Sequence, residues 1–289
     1  MKKAYELIVE QILEKLDWNV LPWQKMWTGW NISNYITNTE YRWINKLVLS
    51  FDSYEDKRYL TMNQVRKLKW RIKKWSRPQK VIYWQFNDSE NVKLEYPIIR
   101  YYNIFNVENV EWFTIDKPKV VNESNKYEAV NNLINNYTDW PKIKSWHNPV
   151  YQINNDTVLI PDKDKFNNLD NYYSILLHEL IHSTWSKNRL NRFTDNNMKF
   201  WNEVYSKEEL VAEIWSMFLS METWISNKAN NNNIAYIKSW SKFMKDNKKE
   251  VIYASQQAQI ATDYIYWRQN YLDSSIKKNT NLVTNKNNT

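Results

Sequence analysis

Glycine is almost absent from this chain: Gly29 is the only glycine among 289 residues, whereas 17 residues are tryptophan. A chain of average composition is about 7% glycine and would carry roughly twenty at this length. Tight turns and helix ends often need a residue with positive φ, which glycine adopts without steric cost. Asparagine, abundant here, can fill some of these positions but not readily all of them. Some turns must therefore carry residues that are poorly suited to them.

The composition indicates a globular protein of the reducing cytoplasm. Charged residues make up 25% of the chain and hydrophobic residues 43%, and no run approaches the roughly 18 apolar residues that a membrane-spanning helix needs. The N-terminal MKKAYELIVEQILEKL interleaves glutamates with apolar residues, which is typical of an amphipathic helix and not of a signal peptide. Because no such apolar run and no lipid-inserting face is present, we expect no membrane partner. Because cysteine is absent, we expect a cytoplasmic location and histidine and carboxylate ligands for any metal.

Positive charge is concentrated in one segment. The net charge is +8, and residues 66–80 (RKLKWRIKKWSRPQK) hold eight cationic residues and no acidic one. Cations neutralise phosphates and aromatic faces stack on unpaired bases, so the segment predicts binding of single-stranded DNA, with double-stranded DNA as a second possibility. The residues predicted to contact nucleic acid are Arg71, Lys73, Lys74, Arg77, Lys80 and Trp84. The alternative is a solvated hairpin whose aromatic residues pack in the core.

The segment YYSILLHELIH (172–182) contains an HExxH motif. In a helix, positions i and i+4 lie on one face, so His178 and His182 can bind a single zinc ion (Zn2+). Glu179 then lies beside the ion and can act as the general base of a hydrolysis. The alternative is an amphipathic helix with two solvent-exposed histidines. The chain has only three histidines, however, and two of them fall in this register behind the apolar ILL run, which favours the metal site.

The third metal ligand is predicted to be a carboxylate. Catalytic zinc usually has three protein ligands and an open position, and the remaining histidine, His147, lies in a Pro-containing loop that we interpret as surface. The segment KEELVAE places Glu209 and Glu213 on one helical face. We predict that Glu209 binds the metal and that Glu213, one turn on, orients a ligating histidine. The reverse assignment, Glu208 as the ligand, and a solvated acidic helix face are the alternatives.

Helices and short strands are segregated along the chain and do not strictly alternate, which favours an α+β fold. We predict an N-terminal domain over residues 1–115, a polar linker over 116–126, a metal-binding domain over 127–272 and a disordered tail over 273–289. In the second domain, PVYQINNDTVLIP (149–161) predicts a hairpin with NND as its turn. In zinc peptidases, a strand edge near the metal commonly binds extended substrate by main-chain pairing.

Eight stretches, taken in order, resemble the ArdC-type plasmid antirestriction family. They are LPWQKMW, YRWIN, KKWSRPQKVIYW, RYYNIFNVENVE, YTDWPKIK, YYSILLHELIHSTW, SKNRLNR and YSKEELVAEI. The resemblance as a whole extends from about residue 20 to 265. The HExxH motif alone is moderately specific, whereas this ordered series is highly specific. The resemblance implies an N-terminal antirestriction domain that binds single-stranded DNA, a C-terminal zincin-like metallopeptidase domain, and protection of incoming mobile-element DNA.

Two other functions fit the same residues. One is an intracellular zinc peptidase that cleaves a regulatory protein, which would make a protein substrate a partner of this chain. The other is a DNA-binding accessory protein of replication or conjugation with a vestigial metal site. If a peptide is hydrolysed, Tyr205 and Arg189 are the nearby candidates for stabilising the transition state.

Many tryptophans occupy positions where the family pattern leads us to expect glycine. They are Trp30, Trp43, Trp70, Trp75, Trp112, Trp140, Trp146, Trp185, Trp201, Trp215 and Trp224. Some bacteria read UGA as glycine and others as tryptophan, so we predict that these residues are glycines in the cell. A helix ending at Trp185 should need a positive φ, which is costly for a bulky residue, and an indole at Trp215 should obstruct close helix packing.

The codons of the gene test this UGA recoding. We expect TGA at the positions just named and TGG at Trp23, Trp27, Trp84 and Trp240, which fit the pattern as genuine tryptophans. Sequencing that returned TGG throughout would refute the hypothesis.

Overall fold

The computed structural model describes residues 3–17, 32–87, 93–111, 126–137, 140–192, 201–223, 225 and 241–265. Helices and sheets are mixed in an α+β arrangement, which confirms the predicted fold class. The chain divides into two compact units, Met1–Val121 with Asn230–Tyr253, and Asn122–Ala229 with Ala254–Thr289. Residues 116–125 of the predicted linker and the predicted tail at 273–289 lie outside the described residues, and the domain boundaries stay a prediction.

The first unit is built on a four-stranded sheet of order β1-β2-β5-β4. Its strands are β1 (Ser33–Asn34), β2 (Arg58–Thr61), β4 (Gln79–Asn87) and β5 (Lys93–Asn106). Strands β1 and β2 are parallel, and the other pairs are antiparallel. A separate two-stranded ladder joins β3 (Arg71–Ile72) to β6 (Val110–Glu111). The helices of this unit include α1 (Ala4–Asp17), α2 (Trp43–Ser50) and α3 (Met62–Lys67).

Side chains of α1 and α2 close the outer edge of β4. The amide of Asn45 accepts from the main-chain N–H of Ile82 at 2.8 Å and donates to its carbonyl at 2.7 Å. The main-chain N–H of Lys80 donates to the Gln11 amide oxygen at 3.1 Å. An unpaired strand edge is a template for another strand, and these contacts satisfy main-chain groups of Lys80 and Ile82 at this edge.

A buried polar cluster joins the helices to the sheet in the same unit. Lys15 forms an ion pair with Asp52 and donates to the amide oxygen of Gln79 at 2.9 Å. The hydroxyl of Tyr59 donates to the other oxygen of Asp52 at 2.8 Å, and burial raises the pKa of that tyrosine. Because Asp52 is buried, loss of Lys15 would remove a charge partner of its carboxylate, and loss of Tyr59 would remove a hydrogen-bond donor.

The second unit contains a three-stranded sheet of order β7-β9-β8. The strands are β7 (Lys142–Ser145), β8 (Val150–Gln152) and β9 (Thr157–Ile160), with β7 parallel and β8 antiparallel to β9. The predicted hairpin at 149–161 is therefore confirmed, and its turn includes Asp156 with a φ of 47°. The helices of this unit include α4 (Lys126–Asn136), α5 (Leu169–Ser183) and α6 (Trp201–Thr223). A further helix, α7 (Lys248–Ile265), has residues in both units.

Trp43 and Trp75 adopt positive φ values of 55° and 68°. Trp185 does not, so the predicted positive φ at the end of the HExxH helix is wrong. The helix ends through Thr184 in the right-handed region (φ −66°), and main-chain hydrogen bonds from Thr184 to Ile181 and from Trp185 to His182, both 3.0 Å, tighten its last turn. Hydrogen bonds between residues three apart, as in a 3-10 helix, can end a helix without a residue in the left-handed region.

Trp215 is completely buried in α6, and its indole nitrogen has no hydrogen-bond partner among the described residues. A buried donor left unsatisfied costs about 1–3 kcal/mol. The indole is therefore accommodated inside the unit at an energetic cost, which is compatible with the UGA recoding hypothesis but does not test it.

We expect Trp75→Gly to raise the free energy of unfolding by about 1 kcal/mol, because a left-handed φ strains every residue but glycine. Trp75 is 86% exposed, so the substitution removes little packing. Trp146→Gly is the matched control, since Trp146 is 52% exposed and lies outside the positive-φ residues. Urea unfolding of both variants measures the difference. An equal effect at the two positions would contradict the strain argument.

Candidate metal centre

Helix α5 presents the two histidines of the HExxH motif to the same side. The helix begins at Asn168, whose side chain accepts from the main-chain N–H of Asn171 at 2.8 Å. Its apolar residues, among them Leu177 and Ile181, are buried. Because the histidines are separated by four residues, their Nε2 atoms face one another at 3.1 Å.

Glu209 completes the group from helix α6. Its Oε1 lies 3.5 Å from Nε2 of His182, and its Oε2 lies 3.6 Å from Nε2 of His178. Tetrahedral zinc with bonds of about 2.0–2.1 Å requires ligand atoms about 3.3 Å apart. The spacing of the three side chains therefore fits one metal ion, and two imidazoles with one carboxylate form a donor set typical of hydrolytic zinc sites.

Glu208 and Glu209 are neighbours with different environments. Glu208 is 5% exposed and forms an ion pair with Arg192, whose Nε donates to it at 3.2 Å. Arg192 also donates to the hydroxyl of Thr184 at 2.8 Å. A step of one residue rotates a helix position by about 100°, so only one of the two glutamates can face the histidines. The alternative of Glu208 as the metal ligand is therefore wrong.

Ser216, which sequence reasoning missed, forms a hydrogen bond with the Nδ1 side of the His178 ring. Ser216 Oγ lies 3.4 Å from Nδ1 of His178. Ser216 follows Glu209 by seven residues and so lies on the same face of α6, which is a signal that the sequence contains. The carboxylate of Glu213 acts on the pKa of His178 by its charge, and the predicted orienting role of Glu213 stays a prediction.

Burial and charge set the protonation of the two histidines in opposite directions. Burial lowers the pKa of the His182 imidazole to about 3, with a contribution from the neighbouring His178. Burial also acts to lower the pKa of His178, but the hydrogen bond to Glu209 and the charges of Glu213 and Glu179 outweigh it and raise that pKa. His182 is therefore neutral, the state that a metal ligand needs.

Glu179 is buried beside the three converging side chains. Burial raises the pKa of its carboxyl to about 6, although a hydrogen bond from the main chain of Tyr151 acts in the opposite direction. A carboxylate with a pKa near the working pH can both accept and return a proton. The position and the pKa of Glu179 therefore suit a general base.

A cavity of about 660 Å³ joins these groups to the hairpin. It is lined by residues 149–155, which include strand β8, and by His178, Glu179, His182, Trp185 and Glu209. Strand β8 is at the edge of its sheet, so one side of the cavity is a strand edge. A cavity of this size is within the range of small-ligand sites and can admit a short segment of extended chain.

The other residues considered for this site lie elsewhere. Arg189 is not among the residues that line the cavity, and its side chain is 2% exposed with its guanidinium bound to Asp156. The suggestion that it stabilises a transition state is therefore wrong. The side chain of Tyr205 lies outside the described residues. His147, predicted to be a surface residue, is exposed and stacks on Trp146 with ring centroids 4.6 Å apart.

The cationic residues predicted to contact DNA lie in the first unit, on β3, the turn after it, and the start of β4. Lys74 and Arg77 are exposed, and the ammonium of Lys74 lies 5.1 Å from the ring centre of Trp75. Lys73 is exposed and donates to the carbonyl of Glu108 at 2.7 Å. Lys80 is half-buried.

Two other predicted DNA-binding residues lie on strands of this unit. Arg71 lies directly opposite Glu111 in the β3–β6 ladder, which offsets its charge. Trp84 belongs to β4, but its side chain lies outside the described residues. Within the basic segment, the turn after β3, which carries the exposed Lys74 and Arg77, is therefore the part best placed to contact DNA.

An exposed aromatic and cationic pair lies on strands β4 and β5, and its cationic member, Arg100, was not predicted. Tyr83 is paired with Arg100 across the ladder, and both are exposed. Tyr101 is also exposed, but it points to the other face of the sheet because side chains alternate along a strand. The rings of Tyr83 and Tyr102 are in edge contact at 5.6 Å. The signal in the sequence is the RYY triplet in a strand, but only the register shows that Arg100 meets Tyr83.

Comparisons with known proteins agree with the division of the chain into two units. A family model for the N-terminal domain of anti-restriction factor ArdC matches residues 2–107, and a model for a zincin-like metallopeptidase matches residues 128–257. Together they cover both units in the order predicted by the sequence resemblance. The chain belongs to the ArdC-type family.

Solved structures of this family have the same fold. Crystal structures of the antirestriction ArdC protein from the R388 plasmid, one metal-free and one bound to Mn(II), cover 91% of this chain and 96% of their own. The TM-scores are 0.68 and 0.69, and the sequence identity is 22%. The ArdC-type family and the zincin-like fold are thus confirmed, and a zincin-like domain implies a divalent metal.

Curated relatives of this ArdC-type chain include much larger proteins. Two DNA primases named TraC from Escherichia coli are 28% and 26% identical over 91% of this chain, which spans only 20% and 27% of their lengths. The uncharacterised protein y4eC of Sinorhizobium fredii is 23% identical, with 92% of both chains covered. Among the described residues, none of the helices combines the length and apolar character needed to cross a membrane.

The adjacent glutamates of α6 offer a test of the metal centre. We expect Glu209→Gln to lower Zn2+ affinity by more than the roughly 100-fold typical of losing an outer hydrogen-bond partner of a metal site, with little change in stability. Glu208→Gln should leave affinity unchanged but destabilise the protein by about 3–5 kcal/mol, because it leaves Arg192 buried without its partner. Chelator competition and urea unfolding measure the two effects. Equal losses of affinity would refute the assignment.

Proposed function

We propose that this ArdC-type protein protects incoming mobile-element DNA from restriction, with single-stranded DNA bound by the first unit and a zinc-dependent peptidase centre in the second. The observation that supports the catalytic part is the spacing of 3.1 to 3.6 Å among His178, His182 and Glu209, next to the buried Glu179. The match to the ArdC N-terminal domain supports the DNA-binding part.

Zinc is the metal that we propose, held by His178, His182 and Glu209. Two imidazoles and a carboxylate suit zinc in tetrahedral geometry, although one related crystal structure contains Mn(II). When bound, the ion would supply a Lewis acid that polarises a carbonyl group and makes water more acidic. Bound metal would also hold His178 in its neutral form, since metal and proton compete for the same nitrogen.

Glu179 is the proposed catalytic residue. Its carboxylate accepts a proton from the attacking water and returns it to the amide nitrogen as the C–N bond breaks, so the peptide leaves as an amine and a carboxylate. Burial of Glu179, which raises its pKa to about 6, makes it basic enough for the first step and acidic enough for the second. The hydrogen bond from the main chain of Tyr151 keeps the carboxylate directed toward the cavity.

An extended segment of a protein is the proposed substrate. The cavity that contains Glu179 is bordered by edge strand β8. The main chain of Tyr151 already bonds Glu179, so a peptide would pair with the remaining outer main-chain groups of this edge in the manner of strand addition. Side chains such as Val150, which is exposed, then contribute to selectivity. A flat, branched or cyclic substrate would not use this edge.

Single-stranded DNA is the proposed partner of the first unit. Lys74 and Arg77 in the exposed turn supply charge for the phosphates, and Tyr83, beside Arg100, supplies an aromatic face on which an unpaired base can stack. Duplex DNA would satisfy the cations but would leave this aromatic face without a partner. For that reason the single-stranded form is favoured.

A second candidate function is that of a DNA-binding accessory protein of replication or conjugation. The similarity to TraC primases favours it, because those proteins are described as DNA primases and align with almost the whole of this chain. In that case the zincin-like unit would not need to cleave a peptide.

Glu179→Gln separates catalysis from binding. We expect peptide cleavage to fall by at least about 100-fold, the contribution typical of a general base, while Zn2+ affinity is retained because Glu179 is not one of the three converging ligands. Cleavage of a peptide library and protection of incoming DNA in cells are measured for the wild type and for Glu179→Gln. Full protection by Glu179→Gln would contradict a proteolytic mechanism and favour DNA binding alone.

Charge reversal in the exposed turn tests the DNA surface. We expect Lys74→Glu with Arg77→Glu to weaken binding of a fluorescent single-stranded oligonucleotide and to reduce the slope of log K against log salt by about 0.7 for each phosphate that is no longer neutralised. Lys165→Glu is the control, since Lys165 is a highly exposed lysine of the second unit. Equal salt slopes for the test and control variants would place the interface elsewhere.

A further inference from the structure

A network of hydrogen bonds joins the turn of the β8–β9 hairpin to the end of helix α5. The guanidinium of Arg189 binds both carboxylate oxygens of Asp156, at 2.7 and 2.8 Å. It also donates to the carbonyl of Ser183 at 2.9 Å and to the hydroxyl of Ser186 at 3.1 Å. Ser183 directly follows His182, so the network begins one residue from the proposed metal ligands.

The same network reaches the edge strand through Tyr151. The phenol of this tyrosine donates to Asp156 at 2.9 Å, while its main chain, at the centre of β8, hydrogen-bonds the carboxylate of Glu179. The contacts therefore form a closed path from helix α5 through Arg189, Asp156 and Tyr151 back to helix α5. Neither Arg189 nor Asp156 is among the residues that line the cavity.

We propose that Asp156 and Arg189 are positioning residues, which hold edge strand β8 at a fixed distance from Glu179 so that a peptide paired with that edge presents its scissile bond to the metal centre. This inference rests on the proposed peptidase function and assigns to the hairpin turn a role in binding substrate. The side chain of Arg189 is 2% exposed, whereas that of Asp156 is 43% exposed. Because Asp156 is not packed in the core, its place in this network is explained by its hydrogen bonds and not by side-chain packing.

The geometry of the pair explains why these residue types are needed. Two parallel hydrogen bonds from a planar guanidinium to a carboxylate fix orientation as well as distance, which a lysine cannot reproduce. Asp156 has a φ of 47°, a conformation that aspartate and asparagine tolerate better than other non-glycine residues. Asp156→Asn therefore removes the charge while it keeps the backbone conformation of the turn.

Hydrogen–deuterium exchange of the full-length, Zn2+-loaded protein tests the proposal. We expect Asp156→Asn and Arg189→Lys each to speed exchange of amides in residues 150–152 by about tenfold, through local opening of the strand, with exchange in α5 and Zn2+ affinity unchanged. The double variant should show no further increase, because both changes break the same pair. Asp164→Asn is the control, since Asp164 pairs at the surface with Lys165.

Peptide cleavage supplies the second measurement. If the wild type cleaves a peptide library and Glu179→Gln does not, Asp156→Asn should raise KM about tenfold with a smaller change in kcat. The reason is that the edge that binds substrate is displaced more than the catalytic groups. Unchanged exchange at residues 150–152, or an equal rise throughout the second unit, would overturn the proposal. Absence of cleavage by the wild type would instead refute the peptidase function, and the exchange measurement would still decide whether the network holds the strand.

Discussion

The packing of helix α5 against helix α6 is the interaction on which the candidate metal centre depends. Leu177 and Ile181 of α5, and Leu210 and Ile214 of α6, are buried, and burial of apolar surface is the main force that holds two such helices together. The polar residues carried between these apolar positions are thereby brought face to face. Glu209 reaches the histidines because its neighbours in the sequence are held in the core.

Because of this packing, the adjacent Glu208 and Glu209 lie in different surroundings. Glu208 is fully inside the unit, where an unpaired carboxylate would be very unfavourable, and Arg192 compensates its charge. Glu209 and Glu179 face the cavity, where their charges repel one another in a poorly solvated space and burial raises the pKa of Glu179. A divalent cation between the histidines and Glu209 would relieve this repulsion, so the electrostatics of these side chains favour metal binding.

The two units expose different kinds of binding surface. In the first unit, Asn45 and Gln11 bond main-chain groups at the edge of β4, and side chains such as Arg100 on β5 and Lys74 in the turn after β3 are exposed. In the second unit, the edge strand β8 borders the cavity. Main-chain pairing suits a peptide, whereas exposed cations and aromatic rings suit the phosphates and bases of a nucleic acid. The two proposed partners, a peptide and a single-stranded nucleic acid, therefore differ in the kind of contact that each unit offers.

The sequence by itself determined the α+β class, the HExxH helix, the hairpin before it and the family, because these depend on local periodicity, spacing and turn residues. It also limited the third ligand to an acidic residue of the KEELVAE segment, since a carboxylate on an apolar-faced helix was needed to complete the metal site. It could not decide between Glu208 and Glu209, find Ser216 beside His178, or show that Arg189 binds Asp156. Those outcomes depend on which side of each helix is buried and on which distant groups it meets, and only the tertiary packing fixes them.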